Sequence, residues 1–354
     1  MEYRFLGRSG LKVSNISLGS MTFGEAEGLH GLFKMPKQAD EALAHTILDR
    51  FAELGGNCID TADFYSFGQS ERIVGSWLKK QDRDKFVVSS KGRISMDPSN
   101  PNKEGHSRRH ILEGVDQSLE RLQTDYLDVY MMLLWDYAVP IEETVRTVND
   151  LIRCGKVRYF GASNMKGWQI QKLIDTCKYM GMEPVISLQE QYSLLERHSE
   201  LEEFDVCEQE GLGVMAWGVQ KGGLLTGKFK RDATPSPTKS RLGYFHKNGI
   251  PFVRWDSFKD NVEYWDLIDI MKTIGEKHGK SIAQVALRWV LQNKVVSTAV
   301  IGATSVSQLE ENVAAASGWE LTAAEMDQLN TKTAIEIDYP YGFMKPHIRT
   351  NPFM

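Results

Sequence analysis

"ADEALAHTILDRFAELGGNCID", residues 39–60, is the stretch that decides the fold. Its first part is a helix pattern that follows a polar Lys-Gln pair and stops at Gly55. A glycine there suits the left-handed position just past a helix end. Its last residues, "GNCID" (56–60), read as a short buried strand. The alternation recurs along the chain. Further strand-like runs are "ISLGS" (16–20), "KFVVSS" (85–90), "YLDVYMMLL" (126–134), "KVRYFGAS" (156–163), "PVISLQ" (184–189), "GVMAW" (213–217) and "VSTAVIG" (296–302), which makes eight in all.

Amphipathic helix patterns lie between the strands. "SRRHILEGVDQSLERLQ" (107–123) opens on Ser107, a good N-cap, and Ile111, Leu112, Val115, Leu119 and Leu122 share a face. "PIEETVRTVNDLIRCG" (140–155) has Pro140 near its first turn, early acidic residues and a glycine stop. "SELEEFDVCEQEG" (199–211) and "SIAQVALRWVLQN" (281–293) behave likewise. Ahead of them, "YRFLG" and "LKVSNIS" flank a glycine turn and read as a hairpin.

Strand then helix, eight times over, implies a parallel sheet. In a chain of 354 residues it points to a closed (β/α)8 TIM barrel of the α/β class. We expect one domain spanning residues 1–354, with an N-terminal β-hairpin and long irregular loops after barrel strands 3 and 7, at 93–106 and 229–258. The rival is a doubly wound sheet, which would want G-x-G-x-x-G between a strand and a helix. The near match "GLGVMA" (211–216) runs into a strand instead, so the rival is set aside.

Composition narrows the function classes. The chain is 42% hydrophobic and 25% charged, an ordinary globular balance. A net charge of -5 argues against a general nucleic-acid binder. No apolar run approaches the ~20 residues of a membrane span. The charged, turn-rich start "MEYRFLGRSG" is unlike a signal peptide, and no lipidation motif is seen. Cys58, Cys154, Cys177 and Cys207 are scattered, which suits thiols in a reducing cytoplasm and gives no metal site.

Barrel enzymes place their chemistry at the C-terminal ends of the strands. Here those ends carry Gly19 and Ser20, then Asp60, Thr61 and Tyr65, then Lys91, Leu133 or Leu134 with Trp135, Ser163 and Asn164, Gln189, Trp217, and Gly302 with Thr304. Asp60, Tyr65 and Lys91 stand out. An ammonium beside a tyrosine favours its anion and lowers its pKa, and a carboxylate keeps the lysine charged. Such a tyrosine can exchange a proton with a carbonyl oxygen or an alcohol.

The segments "GNCIDTADFYSFGQSERIVG" (56–75), "VVSSKG" (87–92), "GASN" (161–164), "LQEQYSLLER" (188–197), "GGLLTGKF" (222–229) and "VIGATSVSQLEEN" (300–312) resemble the aldo-keto reductase signature over nearly the whole chain. "SRRHILEGVDQSLERLQTDYLDV" (107–129) and the long loop after strand 7 are similar to bacterial-type reductases related to potassium-channel β-subunits. The resemblance implies a nicotinamide cofactor bound on the barrel, NADP(H) ahead of NAD(H), and a small carbonyl or alcohol substrate. It makes Asp60, Tyr65 and Lys91 three of four catalytic residues, with Tyr65 as acid/base. It sets Ser163, Asn164 and Gln189 on the nicotinamide carboxamide and stacks Trp217 on the ring. It directs Lys228 and Arg241 to the cofactor phosphates, and Gly302, Thr304, Gln308, Glu311 and Asn312 to the adenosine-phosphate end. Gly19, Ser20 and Met21 border the cofactor; Met21, Phe23, Phe64, Trp135, residues from 241–258 and the tail from 338 are expected to wall an apolar substrate pocket.

The fourth catalytic residue of the family is a histidine ending strand 4. Aligning on Asp136 and "VPIEET" (139–144) puts Leu133 there. None of the eight histidines lies on that strand; His30, His106, His110 and His246 fall near the top loops and are expected to be solvated. A leucine at that position favours a second reading, a cofactor-binding regulatory subunit with slow turnover. A third is a sugar or alcohol oxidase-like dehydrogenase running in reverse on NAD+. A homo-oligomer is left open; nucleic acid and membrane insertion are not expected.

Overall fold

The computed structural model describes residues 1–24, 36, 38–250 and 253–349. β1 (Tyr3–Phe5) and β2 (Lys12–Ser14) form the antiparallel hairpin. The eight expected strands are β3 (Ile16–Gly19), β4 (Cys58–Asp60), β5 (Val87–Gly92), β6 (Leu127–Leu133), β7 (Val157–Ser163), β8 (Val185–Gln191), β9 (Gly213–Trp217) and β10 (Val296–Ile301). They close into a parallel barrel in the order β10-β3-β4-β5-β6-β7-β8-β9.

The hairpin stands outside that ring and plugs it. Leu6 and Val13 are fully buried against Cys58, Val87, Val129, Met131, Ile186, Met215 and Val300 in the barrel interior. The approach is close enough to require glycine at its tip. Gly7 has φ +61°, and a Cβ there would lie 2.6 Å from backbone atoms of Ile186, Gly211 and Gly213.

The first helices follow the expected pattern. α1 (Glu41–Glu53) is capped by Asp40, which accepts from the Leu43 N–H at 2.8 Å, and it ends before Gly55 at φ +86°. α2 (Gln69–Leu78) was not apparent as a periodic run. It carries Gly75 at midpoint because a Cβ there would lie 2.3 Å from the Arg121 carbonyl oxygen. α3 (Arg108–Leu122) starts from Ser107, and α4 (Ile141–Arg153) starts one residue after Pro140, which occupies the cap itself. α5 (Gly167–Met180) and α6 (Glu203–Glu210) complete the layer behind β7 and β8.

The stretch 229–258 is less irregular than expected. It contains α7 (Arg241–Lys247), whose start is capped by Ser240 accepting from the Gly243 N–H. Then come α8 (Val262–His278), α9 (Ile282–Leu291) with a Ser281–Gln284 capping box, α10 (Val306–Val313), α11 (Ala323–Lys332) and α12 (Tyr341–Met344). The main core lies between the barrel's outer face and this helix layer and includes Phe51, Trp77, Phe160 and Trp289. Each large apolar side chain removed from water there contributes roughly 1.5–3 kcal/mol.

Register sets the site. Gly19 pairs with Asp60, Asp60 with Ser89, Lys91 with Met131, Leu133 with Ser163, Ser163 with Gln189, and Gln191 with Trp217. The residues expected to act therefore sit side by side around one rim.

Candidate active site

One cavity opens at that rim. Asp60, Phe64, Tyr65, Lys91 and Leu133 line one part of it. Gly19, Met21, Asn164, Gln189 and Trp217 line its floor and far wall, and Lys228, Arg241, Gly302, Thr304 and Gln308 continue it.

The charged centre is Lys91 with Asp60, both almost fully buried. The Lys91 ammonium donates to both Asp60 carboxylate oxygens, at 2.9 and 2.7 Å, and to the Thr61 carbonyl at 2.7 Å. Asp60 Oδ1 also accepts from Ser89 Oγ at 2.7 Å and from Gln189 Nε2 at 2.8 Å. A buried ion pair persists only when its remaining valences are satisfied, and these are. Burial alone would lower the Lys91 pKa, but the Asp60 carboxylate and Tyr65 more than offset it, and the value stands above the ordinary lysine range. Lys91 is a permanent cation here.

Tyr65 lies against that cation, with the ammonium 5.3 Å from its ring centroid and a hydrogen bond between the two side chains. The expected lowering of its pKa is corrected by the structure. Burial raises the phenol, Lys91 and Arg241 pull it down, and burial wins, so the net direction is up. Tyr65 is a neutral donor at ordinary pH. Its backbone is held by a turn in which Ser66, Phe67 and Gly68 all take positive φ, at 47°, 51° and 79°. Ser66 Oγ fixes that turn by donating to the Phe23 carbonyl at 3.1 Å.

Leu133 ends β6, and Leu134 turns outward with φ +60° and 38% exposure. The choice between the two at the strand exit therefore falls on Leu133. It packs with Ala62 and Phe64, and Tyr65, Ile94 and Met96 rest on the same cluster. Below it lies a residue the sequence suggested was solvated. His106 is fully buried, and its Nε2–H donates to the Leu133 carbonyl at 3.0 Å and the Leu134 carbonyl at 3.1 Å. Burial pushes its pKa down to about 4, so it is neutral. His110 is buried too, with Nδ1 2.8 Å from the Gly105 carbonyl; His246 is half-buried near Asp256, and His30 lies outside the described residues.

Several expected residues lie off the cavity surface. Phe23 is wholly buried in the main core beneath it. Trp135 turns toward Trp168, ring centroids 5.5 Å apart, because the Leu134 turn carries the chain away from the rim. Neither is among the residues that line the cavity. The described part of the tail, 338–349, contributes no lining either; Tyr341 hydrogen-bonds Glu202 on the helix layer. Ser20 accepts from Ser70 Oγ at 2.8 Å behind the wall, and Ser163 is buried under Asn164. Glu311 is exposed on α10, while Asn312 is buried one layer behind the lining, its Oδ1 accepting from the lining residue Gln220. Thr22, Gln38, Gln191, Lys239 and Ser240 line the cavity without having been singled out, and Val253 lines it from the expected 241–258 stretch. Lys239 and Ser240 adjoin Arg241, and that adjacency was the available signal.

The residues fit a nicotinamide dinucleotide. Gly302 leaves open space, since among the described residues a Cβ there would meet only Thr22 Cγ2 at 3.6 Å. Among the described residues the amide Nδ2 of Asn312, buried behind the same end of the cavity, has no partner. The start of α10 adds backbone N–H groups that suit a phosphate. Among the described residues no cluster of His, Cys, Asp and Glu could hold a metal ion, and no helix is long and apolar enough to cross a membrane.

A closed parallel barrel with a buried Asp–Lys pair and a tyrosine at its rim defines a class of oxidoreductase. The aldo/keto reductase family model matches residues 15–334, and the chain belongs to that family. It is 35% identical over 348 residues to a putative voltage-gated potassium channel subunit beta of Schizosaccharomyces pombe, covering 96% of each chain. It is 34% identical over 327 residues to an uncharacterized oxidoreductase of Bacillus subtilis, covering 89% of this chain and 91% of the relative. It is 32% identical over 352 residues to an aryl-alcohol dehydrogenase of Pestalotiopsis microspora, covering 97% and 85%.

Proposed function

We propose that the chain is an NADP(H)-dependent carbonyl reductase of the cytoplasm, acting as one domain, with Tyr65 as its proton donor. The observation that carries this reading is the neutral Tyr65 hydrogen-bonded to a permanently charged Lys91 at the cavity wall. A nicotinamide cofactor held along this cavity would supply hydride for the carbonyl carbon. Tyr65 gives its phenolic proton to the carbonyl oxygen as that oxygen takes up the electron pair. Lys91 stabilises the phenolate left behind, and Asp60 holds Lys91 in place. Asn164 and Gln189 present amides for the carboxamide, and Trp217 offers a ring face.

Met21, Phe64, Leu133 and Val253 make the substrate side apolar. That wall suits aromatic or bulky aldehydes and ketones, in line with the name of the Pestalotiopsis relative. Lys228 and Arg241 are the cations proposed for the cofactor phosphates. Charge-assisted contacts to phosphate are strong, so Arg241→Ala should weaken NADPH far more than NADH. Equal losses for the two would remove Arg241 from recognition of the 2′-phosphate.

Leu133 favours a second reading, a regulatory subunit that keeps its cofactor and turns over slowly, as the name of the S. pombe relative suggests. The test is steady-state turnover on a panel of aryl and alkyl aldehydes, measured beside the release rate of bound cofactor. Turnover well above the rate of spontaneous cofactor exchange on any aldehyde supports the reductase. Release slower than a cell's needs and no substrate acceleration would replace it with the regulatory role.

A further inference from the structure

We infer that Glu190 is a positioning residue for the cofactor's nicotinamide end, through its grip on the turn that carries Asn164. The inference rests on the reading of Asn164 and Gln189 as carboxamide partners.

β7 ends at Ser163 and the chain must turn at once into α5. Asn164 makes that turn with φ +57°, a conformation that L side chains rarely adopt and that the surroundings must enforce. β8 enforces it from two successive residues. The Gln189 carbonyl accepts the Asn164 N–H at 3.0 Å, and Glu190 Oε1 accepts the next N–H, that of Met165, at 2.6 Å. Met165 is 3% exposed and Glu190 9%, so water does not readily replace this bond. With the backbone pinned on both sides, the Asn164 amide is aimed. Its Oδ1 accepts from Trp217 Nε1 at 3.0 Å, and its Nδ2 donates to Ser163 Oγ at 2.8 Å.

Strand alternation explains the division of labour. Gln189 points inward and reaches Asp60. Glu190 points outward, to the turn that leads into α5. No atom of Glu190 lines the cavity, so any effect on cofactor is transmitted through the turn.

The test compares the whole cofactor with a fragment that lacks the nicotinamide. Affinities of Glu190→Ala, Glu190→Asp, Glu190→Gln and Asn164→Ala are measured for NADP+ and for 2′,5′-ADP, with NAD+ and ADP-ribose as the corresponding pair. Leaving the buried Met165 N–H without its acceptor makes about a tenfold weakening of NADP+ the expected result for Glu190→Ala. 2′,5′-ADP should bind as to the parent. Glu190→Gln keeps an acceptor oxygen at the same reach and should restore NADP+ binding. Glu190→Asp falls one carbon short, so it should behave as Glu190→Ala and carries the test if the alanine variant does not fold. A merely structural role would alter thermal stability while leaving both ligands, or neither, affected. Parent affinity for NADP+ in Glu190→Ala or Glu190→Asp, with Asn164→Ala weakened, overturns the inference. Parent affinity in Asn164→Ala overturns the reading of the turn beneath it, and the inference with it.

Discussion

The two flanks of Tyr65 are opposite environments built on adjacent strand ends. On one flank, Asp60, Lys91, Ser89 and Gln189 form a closed polar network, buried yet fully bonded. On the other, Leu133, Ala62 and Phe64 form a small apolar cluster with Ile94 and Met96 resting on it. The polar flank governs the proton; the apolar flank governs how a carbonyl is held. The difference teaches that each strand exit of a barrel is an independent position. A donor can be absent at β6 while the network on β4, β5 and β8 stays intact.

Breaking the polar flank should have the larger effect. Lys91→Met removes the cation that stabilises the Tyr65 anion, and loss of acid–base assistance is worth roughly 10²–10⁴ in rate. It also strands Asp60. Removing one partner of a buried pair costs about 3–5 kcal/mol, and the lower end is expected because Ser89 and Gln189 still donate to Asp60. Single-turnover reduction and chemical denaturation read the two consequences separately.

Sharpening the apolar flank comes next. Leu133→His should raise turnover on simple aldehydes by roughly two orders of magnitude, the worth of one well-placed donor. Cofactor affinity should change little. If Leu133 serves only as packing, the imidazole becomes an unsatisfied polar group among Ala62, Phe64 and Met96, and the variant melts lower without reacting faster.

The smallest effect concerns stability and lies outside both flanks. Burial first, then the charge of Glu203, push the Glu190 carboxyl up to about 8 from 4.5. The folded chain thus holds a proton that the unfolded chain releases. Its contribution to stability is complete below about 4.5 and is lost as pH rises through about 8. Thermal melts across that window should fall by a few degrees more for the parent than for Glu190→Gln; parallel curves would remove Glu190 from the linkage.

The barrel was legible because its strands and helices differ in period and because Gly55, Ser107 and Ser281 mark helix ends with chemistry that survives folding. α2 was hidden because Gly75 meets α3's backbone, a demand set by packing. Asp60, Tyr65, Lys91 and Gln189 came together as expected because register aligns strand exits. Trp135 and Phe23 misled because an aromatic near a strand exit says nothing of which way the following turn carries it. His106 misled for the converse reason: a loop histidine is usually wet, and only the fold shows the two carbonyls it satisfies. The direction of the Tyr65 pKa also lay beyond the sequence, since it depends on how much burial opposes Lys91.

The most direct test of the account is single-turnover reduction of an aromatic aldehyde by the NADPH complex of Tyr65→Phe. The phenylalanine keeps the ring against Phe64 and removes only the hydroxyl. The account predicts a rate lower by roughly 10²–10⁴ with NADPH bound as tightly as by the parent. Reduction at the parent rate would contradict it, and the proton would then have to come from another group at the rim.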